Sequence, residues 1–270
     1  MTTTAEPAET FELTAEQAEG YEARFVPALF AEWAPLLVDA VGVGPGDRVL
    51  DVACGTGIVA RTAAARTGDP AVVAGLDRAD AMLSVARRLL PTADFRRGDA
   101  AALPFDDGAF DAVLCQAGLM FFPAPEAALA EMARVAAPDG NVGVQVWGRL
   151  ESSPGYLAFV EVAARHAGAD AIGLLSSYFV HGDLDRLSDR FGAAGLEVVA
   201  TTTRLGAMRY DSVDDFVTTE VGATPLAGRL DEATYAAIRE DSREALRPFA
   251  GDDGIAVPIE GHILVARPVH

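Results

Sequence analysis

The stretch Arg48–Ala60, "RVLDVACGTGIVA", decides the fold. An apolar run ends in Gly55-Thr56-Gly57, and a helical pattern follows at once. Read loosely, this is G-x-G-x-x-A, the Gly/Ala form of the dinucleotide fingerprint. The question it raises is whether the loop receives a nicotinamide dinucleotide, a phosphate or another ligand with a ribose.

Working outward, short β-rich runs alternate with helical patterns from residue 48 to about residue 147. Strands are expected at Arg48–Ala53, Ala71–Asp77, Ala93–Arg97, Phe110–Cys115 and Asn141–Trp147. Helices are expected at Ile58–Thr67, Ala79–Leu90 and Pro125–Ala137. Near-continuous apolar strands separated by helices imply a parallel sheet covered on both faces. Right-handed crossovers make this a doubly wound α/β layer. Later, Glu197–Arg204 and Gly261–Arg267 read as two closing strands joined by a largely helical insertion, Ser212–Ala250. That pattern implies an antiparallel edge on the sheet, with helices over one end.

Ahead of the core, Thr14-Ala-Glu-Gln17 has the form of a capping box. Pro27 suits the first turn of a second helix, and Pro35 is expected to break or kink it. Tyr21, Phe25 and Trp33 are spaced at multiples of four, which puts them on one side, as core or as the lining of a ligand mouth. Helices are also expected at Tyr156–Gly168 and Asp183–Ala194. The expected organisation is an N-terminal helical cap over 1–44 and a core over 45–270. Further cap segments are expected at about 150–190 and 212–250.

Composition narrows the function. The chain of 270 residues carries a net charge of −19, which repels phosphate backbones and anionic lipid, so neither nucleic acid nor a membrane is an expected partner. All 21 basic residues are arginine. Without lysine there is no P-loop, no Schiff-base chemistry and no Tyr-x-x-x-Lys dehydrogenase machinery. Cys54 and Cys115 lack CxxC spacing and read as buried thiols. Four histidines scattered without ligand spacing imply no metal site. With no basic and apolar leader and no 18-residue apolar span, the sequence reads as that of a soluble, cytoplasmic protein.

In an open α/β sheet, ligands lie beyond the carboxyl ends of the strands. The first strand ends in Asp51 and the glycine loop. The second ends at Asp77, an acceptor pair for two ribose hydroxyls, or simply a helix cap. The third ends in Gly98-Asp99-Ala100, a second acceptor where an adenine amino group could lie. A dinucleotide accounts for the loop and Asp77 but sets its pyrophosphate near Asp51 and Asp99. A cationic ligand with one nucleoside and no phosphate, such as S-adenosylmethionine, fits these ends better.

Four segments carry a resemblance: "VLDVACGTG", "GLDRADAMLSVAR", "GDAAALPFDDGAFDAVLC" and "EMARVAAPDGNVGVQVW". Together they resemble the successive motifs of class I SAM-dependent methyltransferases, and most of all the broad ubiquinone/menaquinone C-methyltransferase-like (methyltransferase type 11) group. The resemblance covers roughly 45–148. It implies a seven-stranded sheet with the last strand antiparallel. Asp139 stands where this group more often has glycine, and Gly140 is kept. The resemblance further implies that Gly55, Thr56 and Gly57 approach the methionine part, with Asp51 supporting the loop. Asp77 takes the ribose hydroxyls, while Arg78 and Met82 flank adenine and Gly98, Asp99 and Ala100 read its edge. Gln116 faces the methyl-transfer region, and Tyr21 joins the cofactor set. Met82 reads equally as core, and Gln116 equally as a partner for backbone groups.

Methyl transfer from a sulfonium is an in-line displacement in which positioning supplies much of the acceleration. A base is needed only where the acceptor is not already a good nucleophile. His181, in "SYFVHGD", is the expected catalytic residue, its alternative being a capping or surface histidine. His166 suits a helix C-terminus, and His262 and His270 are set aside. Tyr156, Tyr178 and Glu220 are pocket or structural residues. Two functions stay open: a small-molecule methyltransferase for an O-, N- or C-acceptor, and a SAM-binding protein that does not methylate, such as a cyclase, isomerase or regulatory module. Neither the acceptor nor the oligomeric state is readable.

Overall fold

The computed structural model describes residues 14–222 and 224–269; His270 and the segment before Thr14 lie outside the described residues. Strand β1 (Val49–Val52) is buried at every position, as a strand covered on both faces must be. Its parallel neighbours are β2 (Val73–Asp77) on one side and β4 (Phe110–Gln116) on the other. Beyond β2 lies β3 (Asp94–Arg97), and beyond β4 lies β5 (Ala136–Trp147), both parallel. The sheet closes with β6 (Leu196–Tyr210), the two-residue β7 (Ala250–Gly251) and β8 (Gly254–Pro268). The order along the sheet is β3-β2-β1-β4-β5-β8-β6, with β7 paired to the start of β8. The last strand of the chain, β8, runs antiparallel to both neighbours.

Alternation along β1 and β4 sends successive side chains to opposite faces. On one face Val49, Ala112 and Leu114 join helices α2 (Ala31–Val41), α3 (Ile58–Thr67) and α4 (Asp80–Leu89). On the other, Leu50, Val113 and Cys115 join α5 (Pro125–Val135) and α8 (Leu184–Ala193). This is the expected doubly wound layer. Helices α6 (Pro154–Ala167), α7 (Ala169–Ser176), α9 (Val213–Gly222) and α10 (Glu232–Ala245) gather over the far end of the β6–β8 hairpin.

Several boundaries depart from the sequence reading. The helix expected through Ala137 stops at Val135, because the residue before Pro138 is pushed out of the α region. Helix α7 was not expected; it is short and carries no clear apolar stripe. Strands β6 and β8 pair from Leu196↔Pro268 to Tyr210↔Ile255, well beyond the expected ends. Most of β6 from Glu197 to Leu205 is exposed, so its sequence lacks an apolar alternation to read.

The N-terminal segment differs most. Thr14 does cap α1 (Ala15–Gly20), and both bonds of the capping box with Gln17 form. But the chain then continues without a break from α1 through a π-helical segment, Tyr21–Phe30, into α2. Pro27 lies inside the π segment and Pro35 inside α2, so neither starts nor ends a helix. Widening the turn to π geometry gives room for the Pro27 ring beside the preceding carbonyls and absorbs the kink.

Helix α2 lies almost on the backbone of β5. A Cβ added at Gly143 would stand 2.2 Å from Val41 Cγ2 and 3.1 Å from Leu37 Cδ1, so only glycine permits this approach. We therefore expect Gly143→Ala to lose about 1–3 kcal/mol by overpacking. Gly173→Ala, in α7 with nothing within 4 Å, should instead gain up to about 1 kcal/mol from helix propensity. Urea unfolding measures both, and an unchanged midpoint for Gly143→Ala contradicts the close packing.

Candidate functional site

The strand order reverses between β1 and β4, and the chain is strained at both strand ends there. Ala53 has φ 57° and Ala117 has φ 48°, the left-handed region that residues with a Cβ rarely enter. Between them sits Gly118, whose added Cβ would meet Ala53 Cβ and Cys115 Sγ, each at 2.8 Å. The turn after Ala53 continues through Gly55 (φ 53°) and Gly57 (φ 85°) into α3.

Two carboxylates hold this loop. Asp51, 1% exposed, accepts the Ala60 N–H at 3.0 Å through Oδ2 and so fixes the first turn of α3. Burial pushes its carboxyl up to about 8, the neighbouring Asp77 charge adds to the rise, and the Ala60 N–H and Arg61 oppose it. Asp77 ends β2. Its Oδ2 accepts the Gly55 N–H at 2.8 Å and its Oδ1 accepts the Ala79 N–H at 2.9 Å. One side chain thus ties the glycine loop to the start of α4. Its own carbonyl accepts the Gly98 N–H at 3.0 Å, which draws in the end of β3. Burial also raises the Asp77 carboxyl, against the pull of its backbone donors.

Around this clasp the other expected residues take distinct places. Tyr21 stacks on Phe25 and Phe30, with ring centroids 5.6 and 5.4 Å away, and its Cε1 lies 4.0 Å from a Cβ position on Gly55. It covers the loop. Trp33, by contrast, is fully buried against Trp147 and the hairpin glycines Gly206 and Gly261, so it belongs to the core. Thr56 is 1% exposed and its hydroxyl has no hydrogen-bond partner. Met82 is buried with Ala18 and Val85 in a small cluster beside Tyr21. Arg78 is exposed, and its carbonyl accepts from Arg97 at 3.2 Å. Asp99 is exposed and turns back on the Ala101 N–H at 3.0 Å, while Ala100 is buried.

Gln116, at the end of β4, donates through Nε2 to the Phe30 carbonyl at 3.0 Å, and its buried Oε1 has no partner. Its register partner on β5 is Gln145, 0% exposed, with both amide atoms unpartnered. The sequence reading passed over Gln145, although a lone glutamine in "VGVQVW" was a visible signal. His181, 9% exposed, lies with Nε2 3.3 Å from the Leu119 carbonyl in the turn after β4, and burial pulls its pKa down. His166 pairs with Asp241 at 2.9 Å and His262 with Thr203 at 2.9 Å, both away from the loop. Both cysteines are buried, and burial pushes the Cys115 thiol up to about 12. Among the described residues no three His, Cys, Asp or Glu side chains come together as a metal site, and no helix is long and apolar enough to cross a membrane.

Residues 50–144, from β1 to β5, match the family described as "Methyltransferase domain". This segment is similar to a methyltransferase domain, and the fold is the one shared with solved methyltransferase structures. Its relatives include the demethylmenaquinone methyltransferase of Renibacterium salmoninarum, 44% identical over 133 residues, or 49% of this chain and 55% of that protein. The 2-phytyl-1,4-naphtoquinone methyltransferase of Synechococcus elongatus is 39% identical over 118 residues, covering 42% of this chain and 51% of that protein. The chain thus spans about half the length of these curated relatives. Among solved structures, phosphoethanolamine N-methyltransferase 2 of Haemonchus contortus superposes with a TM-score of 0.60 at 16% identity, over 97% of this chain and 59% of that one. The cyclase SpnF superposes with a TM-score of 0.54 at 22% identity, over 89% and 81%. At such identities these two structures share the methyltransferase domain's fold and carry no argument about activity.

The Asp51 carboxyl has a consequence for stability. With the folded value near 8 and an unfolded value near 4, the native state binds the extra proton between these limits, so stability falls as pH rises through that window. Asp51→Asn keeps an acceptor for the Ala60 N–H and cannot ionise. Its stability relative to wild type should therefore grow from pH 5 to pH 8 in urea titrations. A constant difference across that range contradicts a buried, proton-retaining Asp51.

Proposed function

We propose that the protein is a SAM-dependent methyltransferase acting on a small organic acceptor. The observation that carries this is the Asp77 clasp. A carboxylate at the end of β2 holds both the glycine loop and α4, within residues 50–144 that match a methyltransferase domain. Carboxylate oxygens accept more than one hydrogen bond each, so Asp77 keeps capacity for two ribose hydroxyls. The glycine loop, open where side chains would intrude, and the unpartnered Thr56 hydroxyl fit the methionine part. Met82 and the Asp99–Ala100 turn flank adenine, Arg78 covers it from solvent, and Tyr21 closes over the loop. Gly98 and Asp51 act through the backbone they hold, and Gln116 faces the methyl-transfer region.

The bound cofactor supplies a methyl group on a sulfonium that leaves as a neutral thioether. What the chain contributes is alignment, on the order of 7–11 kcal/mol in well-oriented systems. Segments 15–30, 154–179 and 213–245 lie outside the matched domain, and we assign them the role of roof over the acceptor. His181, kept neutral by burial and engaged by the Leu119 carbonyl through one nitrogen, is the proposed proton acceptor. The quinone acceptors in the relatives' names belong to proteins matched over about half their length, so the acceptor atom stays open among oxygen, nitrogen and carbon.

Calorimetry with SAM and S-adenosylhomocysteine is the direct test, and a folded protein that binds neither ends this reading. Asp77→Ala should weaken binding about tenfold to a hundredfold, the worth of roughly 1.5–3 kcal/mol for hydrogen bonds to a charged acceptor. His181→Ala should retain cofactor affinity and lose about a hundredfold or more in turnover, within the range for proton-transfer catalysis. A variant that matches wild type at every pH removes the histidine from the chemistry. Conversion of a metabolite at unchanged mass, with SAM intact, would establish the non-methylating alternative instead.

A further inference from the structure

Glu220, in the last turn of α9, is 1% exposed. The Tyr156 hydroxyl donates to its Oε2 at 2.9 Å and the Tyr210 hydroxyl donates to its Oε1 at 3.0 Å. With both oxygens accepting, the geometry is built for the ionised carboxylate. Yet no arginine or histidine among the described residues pairs with it. The α10 arginines that lie along α9, Arg239 and Arg243, both bind Asp214 at the opposite end of that helix. A buried carboxylate without a counter-charge is costly, and proteins keep such groups paired. Burial pushes Glu220 up to about 7, with the two tyrosine hydroxyls pulling the other way.

The surroundings are aromatic. Tyr156 packs against Phe159, Phe179 and Phe216 at 5.8, 5.0 and 6.1 Å, and Tyr210 meets Phe216 at 5.6 Å. Tyr178, from the turn before His181, is the member of the group that is only half-buried. Tyr178 stands edge-on to Phe121, in the turn after β4, with ring centroids 6.1 Å apart. Phe179, next in the chain, packs on Tyr156, so the aromatic cluster around Glu220 reaches the turn after β4 that His181 also touches.

On the reading that this cleft is a methyltransferase site, we propose that the acceptor carries a protonated amine, which docks against Tyr178 and is neutralised by Glu220. The chemistry is complementary on every side. Aromatic faces attract cations, and an opposite charge placed near a desolvated carboxylate is held far more strongly than in water. An anionic acceptor finds the reverse: the Asp77 and Glu220 carboxylates, no lysine in the chain, and a histidine kept neutral by burial. The titratable groups facing Glu220 are Tyr156 from α6, Tyr210 from β6 and Tyr178 from the turn; β8 contributes apolar Ile255 and Val257 to the same cluster.

The test uses the full chain saturated with S-adenosylhomocysteine and three probes that share a ring and differ in the head group: tyramine, tyrosol and 4-hydroxyphenylacetate. Calorimetry should find tyramine bound at least about tenfold tighter than tyrosol, with 4-hydroxyphenylacetate weakest, as expected for one desolvated ion pair. Tyramine affinity should fall as pH drops from 8 to 5, because Glu220 takes up a proton while the amine stays charged. Glu220→Gln should abolish the amine preference and this pH dependence while leaving S-adenosylhomocysteine affinity unchanged. The proposal is overturned if the carboxylate probe binds as tightly as the amine, or if the preference survives Glu220→Gln. It is also overturned if none of the probes binds, or if the variant loses cofactor affinity instead. Should Glu220→Gln fail to fold, the order of the three probes decides the matter, and equal binding of tyrosol and tyramine overturns the proposal. Failure to bind S-adenosylhomocysteine at all is a separate result and strikes the methyltransferase reading itself.

Discussion

Asp77 holds two backbone N–H groups that belong to different elements, and the site depends on that pair of bonds. One comes from Gly55 in the loop after β1, the other from Ala79 at the head of α4. A loop with left-handed residues at Ala53, Gly55 and Gly57 has no regular hydrogen-bond ladder of its own, so its shape must be fixed from outside. Asp77 does this from β2 and Asp51 does it from β1, through the N–H of Ala60. Both are carboxylates raised by burial, an electrostatic cost borne in the free protein. A cation placed beside them would relieve it, the charge logic behind the proposed sulfonium cofactor and amine-bearing acceptor.

The N-terminal helical run gives the site its cover. The Phe30 carbonyl receives the Gln116 amide, and the Phe30 ring stacks on Tyr21 above the loop. Three residues after the π winding ends at Phe30, Trp33 drops into the core against the two hairpin glycines. The run that is π-wound over ten residues thus presents Tyr21 to the glycine loop, and α2 after it presents Trp33 to the sheet. Spacing at multiples of four put these rings together on an ideal α-helix; on the real winding they separate.

How much was legible follows from how local each constraint is. Strand, glycine turn and helix start are encoded within a dozen or so residues, because positive φ and buried strands each demand particular side chains at particular places. Asp51, Gly55, Gly57 and Asp77 could be named for that reason. Gln145 was visible as a polar residue in an apolar strand, but its meaning came from pairing with Gln116 across the sheet. Glu220 could not be read in the same way. Its burial depends on Tyr156, 64 residues earlier, and on Tyr210 from the edge strand, and nothing in "FVTTEVG" foretells that meeting. The ends of β6 and β8 were equally hidden, since an exposed edge strand has no apolar pattern to display.

The most direct test of the account is a crystal structure of the protein with S-adenosylhomocysteine bound. It predicts both ribose hydroxyls within hydrogen-bond distance of the Asp77 carboxylate, the amino-acid part against Gly55–Gly57, and adenine between Met82 and the Asp99–Ala100 turn. A nucleoside whose ribose lies away from Asp77, with the glycine loop left uncontacted, would contradict it.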